Sequence, residues 1–331
     1  MGLAKGVFTV ETSAGVGKDP TELLYYMDRY DVNMCVLGSL VPAKVKDTVD
    51  VVNKYPDKFV ALCYDEQTQI RNSNGEEKWS MTAAAKELDE FLSTGFYSGI
   101  GVGIPRDRTF RRALLDWEER LDQVCEIFEL ARKYKFPVSW HTGIPHGAAA
   151  QRDMARSRAH MDSSENGNPL LAHELAAMYP DVPIIFNHGG IEGSGYFMED
   201  YERCLNVAAS HHNVYLETGT WWAELYEKPL KDPNIGAKKL VWGCAPGQPH
   251  GQAWMPGCVP ETFTQMLIEQ EPTRHRTDIW GWSMTQLGRL NIPQDDMNLI
   301  MGGNAAFLYK LKTPLPYDRM FKKVQRRHVK D

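Results

Sequence analysis

Short apolar runs alternate with amphipathic stretches along the whole chain. Residues 7–10, 34–37, 59–62, 97–104 and 213–217 and 239–242, with two runs ending at His141 and His188, are short and rich in β-branched or aromatic residues. Such runs, closed by polar or glycine positions, predict buried strands. The stretches between them predict helices. Asp19 reads as an N-cap with Pro20 at the first helical position, and Leu23, Leu24 and Met27 supply an apolar face. Further helices are predicted over 43–55, 82–92, 117–134, 169–178 and 201–210, the second of them ended by Thr94-Gly95.

Eight strands alternating with helices imply a parallel sheet, and eight is the number that closes into a barrel. The expectation is one (β/α)8 TIM barrel over residues 5–312, with a tail over 313–331. The long irregular stretch 142–168 reads as a substrate lid after the fifth strand. An open doubly wound sheet would want a glycine fingerprint after the first strand. The stretch Ala14-Gly15-Val16-Gly17-Lys18-Asp19 mimics a P-loop only superficially, because Asp19 stands where Ser or Thr would hold magnesium.

Composition narrows the class. A 331-residue chain that is 43% hydrophobic can build a large core, and its net charge of −6 argues against nucleic acid as a partner. Six cysteines without CxxC spacing read as buried free thiols of a reducing compartment. No apolar run reaches the roughly 18 residues of a membrane span. No basic segment followed by an apolar one opens the chain, so no signal peptide is expected. The expectation is a cytoplasmic protein with a small-molecule substrate and no membrane partner.

The candidate chemistry lies at the strand ends. A polar, titratable residue closing a buried strand faces the end of a barrel where such folds do chemistry. Glu11, Arg106, Arg108, His141, His188, Glu217 and Cys244 are the residues so placed. Two histidines and two carboxylates converging there would hold a divalent metal such as zinc, manganese or iron, or form a metal-free acid–base cluster. Closure of the barrel is expected to bring His141 and His188 within roughly 12 Å. Arg106 or Arg108 would clamp a carboxylate. Trp221 and Trp222 would wall an aromatic pocket, and His146 would reach the substrate from the lid. Trp140, by alternation with His141, should point outward to the helices.

Several stretches carry a family resemblance. They are Asp19-Pro20-Thr21-Glu22-Leu23-Leu24, Tyr55-Pro56-Asp57-Lys58-Phe59, residues 137–143, Asn187-His188-Gly189-Gly190, Asn213-Val214-Tyr215-Leu216, Val241-Trp242-Gly243 and Gly302-Gly303-Asn304-Ala305-Ala306. Through them the chain resembles the amidohydrolase-related barrels of the aminocarboxymuconate-semialdehyde decarboxylase type. The resemblance implies a mononuclear metal site and homo-oligomers, with activities that include decarboxylation, hydration and hydrolysis of lactones and amides. It also implies that His141 matches a metal ligand and His188 the acid–base histidine.

The departures from that pattern bear on the reaction. The family opens with His-x-His or Glu-x-His, and this chain has Glu11-Thr12-Ser13. The family's Gly-Ser-Asp is Gly243-Cys244-Ala245 here, and alanine neither ligates nor moves protons. A remodelled metal site would draw on Glu11, His141, His188 and Glu217; the other outcome is a metal-free site. Losing the aspartate removes a proton carrier that hydrolysis needs, which favours a decarboxylase-like lyase acting on an aromatic or unsaturated carboxylate. A metal-dependent lactone or amide hydrolase is the alternative, and a non-catalytic binding barrel the second alternative.

Overall fold

The computed structural model describes residues 6–16, 19–38, 45–64, 80–102, 117–142, 168–191, 198–219, 221–244 and 279–313. Eight strands pair in sequence order, all parallel: β1 (Val10–Ala14), β2 (Met34–Leu37), β3 (Phe59–Cys63), β4 (Gly99–Val102), β5 (Val138–His141), β6 (Ile184–Asn187), β7 (Val214–Glu217) and β8 (Leu240–Val241). This is the (β/α)8 barrel that the alternation of patterns predicts. The intervening helices are α1 (Thr21–Tyr30), α2 (Val45–Lys54), α3 (Met81–Leu92), α4 (Trp117–Tyr134), α5 (Ala172–Met178), α6 (Met198–Ser210) and α7 (Glu227–Lys231). After β8 come α8 (Ile279–Gly288), α9 (Gln294–Asn298) and α10 (Asn304–Leu308). Among the described residues no helix is long and apolar enough to cross a membrane.

Two packed layers follow from the alternation of side chains along each strand. Val10, Met34, Val36, Leu62, Ile185 and Val241 fill the barrel interior. Cys35, Ala61, Trp140, Phe186, Leu216 and Trp242 face outward and join the helices in a larger core. Trp140 thus stands outside, as its alternation with His141 requires.

The register of the strands decides which way each polar residue points. Glu217 pairs with Val241, an interior residue, and His141 pairs with Asn187, so these side chains face inward. Glu11 pairs with Cys35, an outward residue. Alternation then turns Thr12 into the barrel, and a register shift between Glu11 and Ala14 leaves Ala14 facing the helices. Where β8 meets β1, side chains join the strands. Thr12 Oγ1 lies 3.0 Å from the carbonyl of Trp242, and the Cys244 N–H donates to Glu11 Oε1 at 2.9 Å.

Two local predictions are corrected. The helix α1 begins at Thr21 with Pro20 in the cap position. Asp19 Oδ1 accepts from both the N–H and the hydroxyl of Thr21, at 3.0 and 2.6 Å, and this Asx-type turn places the proline one residue earlier than expected. The first strand spans 10–14 rather than 7–10, so Glu11 lies within the strand and not beyond its end.

Candidate active site

At the C-terminal ends of β5, β6 and β7, two imidazoles meet over a carboxylate. The rings of His141 and His188 pack edge to face with centroids 4.9 Å apart. That is well inside the expected limit, because the strands carrying them are direct neighbours. Both residues are buried. His141 is the last residue of β5, whereas His188 follows β6 and opens a tight turn over His188–Gly190. His188 itself takes a left-handed backbone, φ +63, followed by Gly189 at +51 and Gly190 at +81. Such a conformation is uncommon for a residue with a side chain and is held only by strong neighbours.

Glu217 is the hub of this cluster. Its Oε2 accepts the His188 N–H at 3.0 Å, and His188 Nδ1 lies 3.8 Å from the same oxygen. Its Oε1 accepts Thr12 Oγ1 at 2.8 Å and Asn187 Nδ2 at 3.1 Å. Asn187 can present its amide this way because its Oδ1 takes the hydroxyl of Ser139, one turn of the pleat below His141. Burial raises the Glu217 carboxyl above its ordinary range, opposed by the His188 N–H and by Thr12 and Asn187. Close packing around this carboxylate also explains Gly243, where a Cβ would stand 2.1 Å from Thr12 Oγ1 and 2.6 Å from Glu217 Oε1.

Glu11 is placed differently. Its carboxylate lies on the helix side of β1 and accepts the N–H of Ser13 at 3.0 Å, the N–H of Cys244 at 2.9 Å and Trp280 Nε1 at 2.7 Å. Burial, then the neighbouring charge of Glu217, pushes its pKa up to about 7 against the pull of these donors. Cys244 is buried in the outer layer with its Sγ 3.5 Å from the carbonyl of Gly219. Trp221 is fully buried, and its Nε1 donates to the carbonyl of His188 at 3.0 Å. Trp222 is half-buried against the outer core. The structure therefore brings His141, His188 and Glu217 together and sets Glu11, Cys244 and Trp221 behind the strands. Arg106, Arg108, His146 and Ala245 lie outside the described residues.

The sequence reading missed Thr12, Asn187 and Tyr64. Tyr64 continues the inward alternation of Val60 and Leu62, and its ring covers β4, where a Cβ on Gly101 would fall 2.1 Å from Cζ. Period-two alternation beyond the strand end was the available signal for Tyr64. Asn187 was legible only through its pairing with His141.

The donor set bears on the metal that the resemblance implies. Both oxygens of Glu11 and both of Glu217 already accept N–H or O–H groups. An ionised carboxylate offers about four lone-pair sites, so these donors fill those of Glu11 and leave one open on Glu217 Oε2, beside His188. Among the described residues no group of three or more histidine, cysteine, aspartate or glutamate side chains is arranged to hold a metal ion.

The family model described as "Amidohydrolase" matches residues 78–311. No curated protein sequence matches the chain. Among solved structures, an amidohydrolase from Burkholderia multivorans with bound HEPES superposes with a TM-score of 0.54 at 9% identity, covering 92% of this chain and 100% of the other. A probable 2-pyrone-4,6-dicarboxylic acid hydrolase from Acinetobacter baumannii with citric acid bound gives 0.52 at 11% identity, covering 92% and 99%. The 5-carboxyvanillate decarboxylase of Novosphingobium aromaticivorans, complexed with manganese and 4-hydroxy-3-methoxy-5-nitrobenzoic acid, gives 0.49 at 12%, covering 93% and 97%.

Proposed function

We propose that this chain, which belongs to the amidohydrolase family of enzymes, is a decarboxylase-like lyase of small aromatic or unsaturated carboxylates, with His188 and His141 as its acid–base pair. One observation carries this reading: the two imidazoles stand 4.9 Å apart, while both neighbouring carboxylates are occupied by donors. Hydrolysis asks for a base that activates water and an acid for the leaving group, commonly with a metal. The two imidazoles are the groups here that exchange a proton near neutral pH without needing any shift of their ordinary range. Decarboxylation asks only for a proton delivered to carbon and a pocket that orients the carboxylate.

In this mechanism the imidazolium of His188 protonates the carbon bearing the carboxylate. The carbon–carbon bond then breaks, its electron pair restores the unsaturated system, and carbon dioxide leaves. The neutral imidazole recovers a proton from solvent by way of His141. Arg106 or Arg108 would clamp the carboxylate, with His146 completing the pocket. The working form is a cytoplasmic homo-oligomer on this reading.

The test is turnover of a panel of aromatic and unsaturated carboxylates in deuterated water. The expected result is carbon dioxide release with one deuterium at the vacated carbon, and a loss of roughly a hundredfold or more in His188→Asn, the scale of a missing acid–base group. Hydrolysis of a lactone or amide without carbon dioxide release would overturn the lyase reading in favour of the hydrolase.

A further inference from the structure

Resting on the acid–base role of His188 argued above, we propose that Trp221 is a positioning residue for that histidine, acting through its peptide group. The left-handed backbone of His188, φ +63, must be held by what surrounds it. Its N–H is held by Glu217 at 3.0 Å. Its carbonyl accepts two donors, the Ile191 N–H at 2.9 Å and Trp221 Nε1 at 3.0 Å. The Ile191 bond closes the turn on itself. The Trp221 bond ties the turn to a different part of the barrel.

The indole is itself rigidly placed. It packs edge-on to Tyr201 at 5.2 Å and to Tyr226 at 5.3 Å between ring centroids. Both phenols are fixed in turn, Tyr201 by its hydroxyl on the Leu225 carbonyl at 2.6 Å and Tyr226 by its hydroxyl on the Thr218 carbonyl at 2.9 Å. The indole also lies flush against the turn: a Cβ on Gly189 would stand 2.5 Å from Trp221 Cζ2. A buried indole N–H needs a partner, and this one is directed at the carbonyl of the strained residue. Glu217 and Trp221 thus grip opposite ends of one residue, and the imidazole is aimed at His141 as a result.

The experiment uses Trp221→Phe in the full chain, with histidine-labelled protein read by NMR and turnover measured beside it. Phenylalanine keeps a ring in the layer and removes the N–H. The expected result is that the His188 imidazole cross-peaks move or split while those of His173 and His211, on the outer surface, stay in place. In an active preparation turnover should fall about three- to tenfold, the scale of one lost hydrogen bond, with KM changed less than about twofold. Unmoved His188 cross-peaks, or wild-type turnover, overturn the proposal. If the wild-type protein turns over none of the carboxylates, the decarboxylase reading fails, and the cross-peaks alone decide the role of Trp221. If the variant does not fold, exchange of the Trp221 indole proton in the wild-type protein decides: slow exchange supports the bond, and exchange as fast as that of an exposed indole overturns it.

Discussion

The backbone N–H of His188 donates to Glu217 Oε2 at 3.0 Å, and the imidazole Nδ1 of the same residue stands 3.8 Å from that oxygen, close enough to pair with it when the ring is charged. The carboxylate that faces the imidazole therefore also fixes the peptide that carries it. Thr12 and Asn187 hold the other oxygen. Glutamine cannot replace this group. If its oxygen faces Asn187, its amide opposes the His188 N–H; if flipped, the amide opposes Asn187. Glu217→Gln should lose about 1–3 kcal/mol of stability, the cost of one buried unsatisfied donor. Urea denaturation measures it, and an unchanged midpoint would contradict the hub role.

Glu11 is predicted to act on the joint between β1 and β8 and not on the reacting groups. Its carboxylate receives donors from Ser13, Cys244 and Trp280. Glu11→Ala leaves these buried N–H groups without a partner, so stability should fall by several kcal/mol at about 1–3 kcal/mol per group. Thermal unfolding with added metal checks this. Rescue of stability by zinc in the wild-type protein, absent in the variant, would make Glu11 a ligand instead.

A pH dependence follows from Lys239. This lysine is buried and donates to the carbonyls of Ala208 at 2.5 Å and His211 at 2.7 Å. Burial, then the neighbouring charge of Lys238, lowers its pKa from 10.5 to about 8. A base with a depressed folded pKa gives up its proton earlier when folded. Stability linked to it is therefore gained between about pH 8 and 10.5, and lost as pH falls through 8. Compared with Lys239→Met, the wild-type protein should gain in urea midpoint between pH 7 and pH 10. Parallel pH profiles of the two proteins would exclude this source.

Gly189 gives a steric prediction. Its φ is +51, and a Cβ there would lie 2.5 Å from Trp221 and 2.9 Å from the carbonyl of Glu217. Gly189→Ala should lower both stability and turnover, since overpacking of a tight interior typically costs about 1–3 kcal/mol. Wild-type values in both would mean that the turn relaxes freely.

Metal content tests the reading of the donor set. Element analysis of protein purified without chelators should show zinc, manganese and iron each well below one per chain. Ala245→Asp restores the carboxylate that the family resemblance places after the eighth strand, and it should raise that content. A stoichiometric metal in the wild-type protein, lost only with His141 and His188, would make those two histidines metal ligands instead of an acid–base pair.

Alternation along the chain determined most of the architecture. Eight buried runs separated by helices close one way, because parallel strands need crossovers and eight strands make a filled barrel. The same local rule sends Trp140 outward and His141 inward, and glycines after His188 mark a backbone turn. Which residues meet is a different matter. Glu11 and Glu217 look alike in sequence, each an acid near the end of an apolar run. Their directions are set by the strand neighbours they pair with, Cys35 on the outer face and Val241 on the inner one. Trp221 reads as a pocket wall because it follows a strand, yet the turn from Thr218 carries its indole behind His188. Period and composition act over a few residues and fix the elements. The direction of a carboxylate or an indole depends on partners up to hundreds of residues away, and only the closed barrel sets those distances.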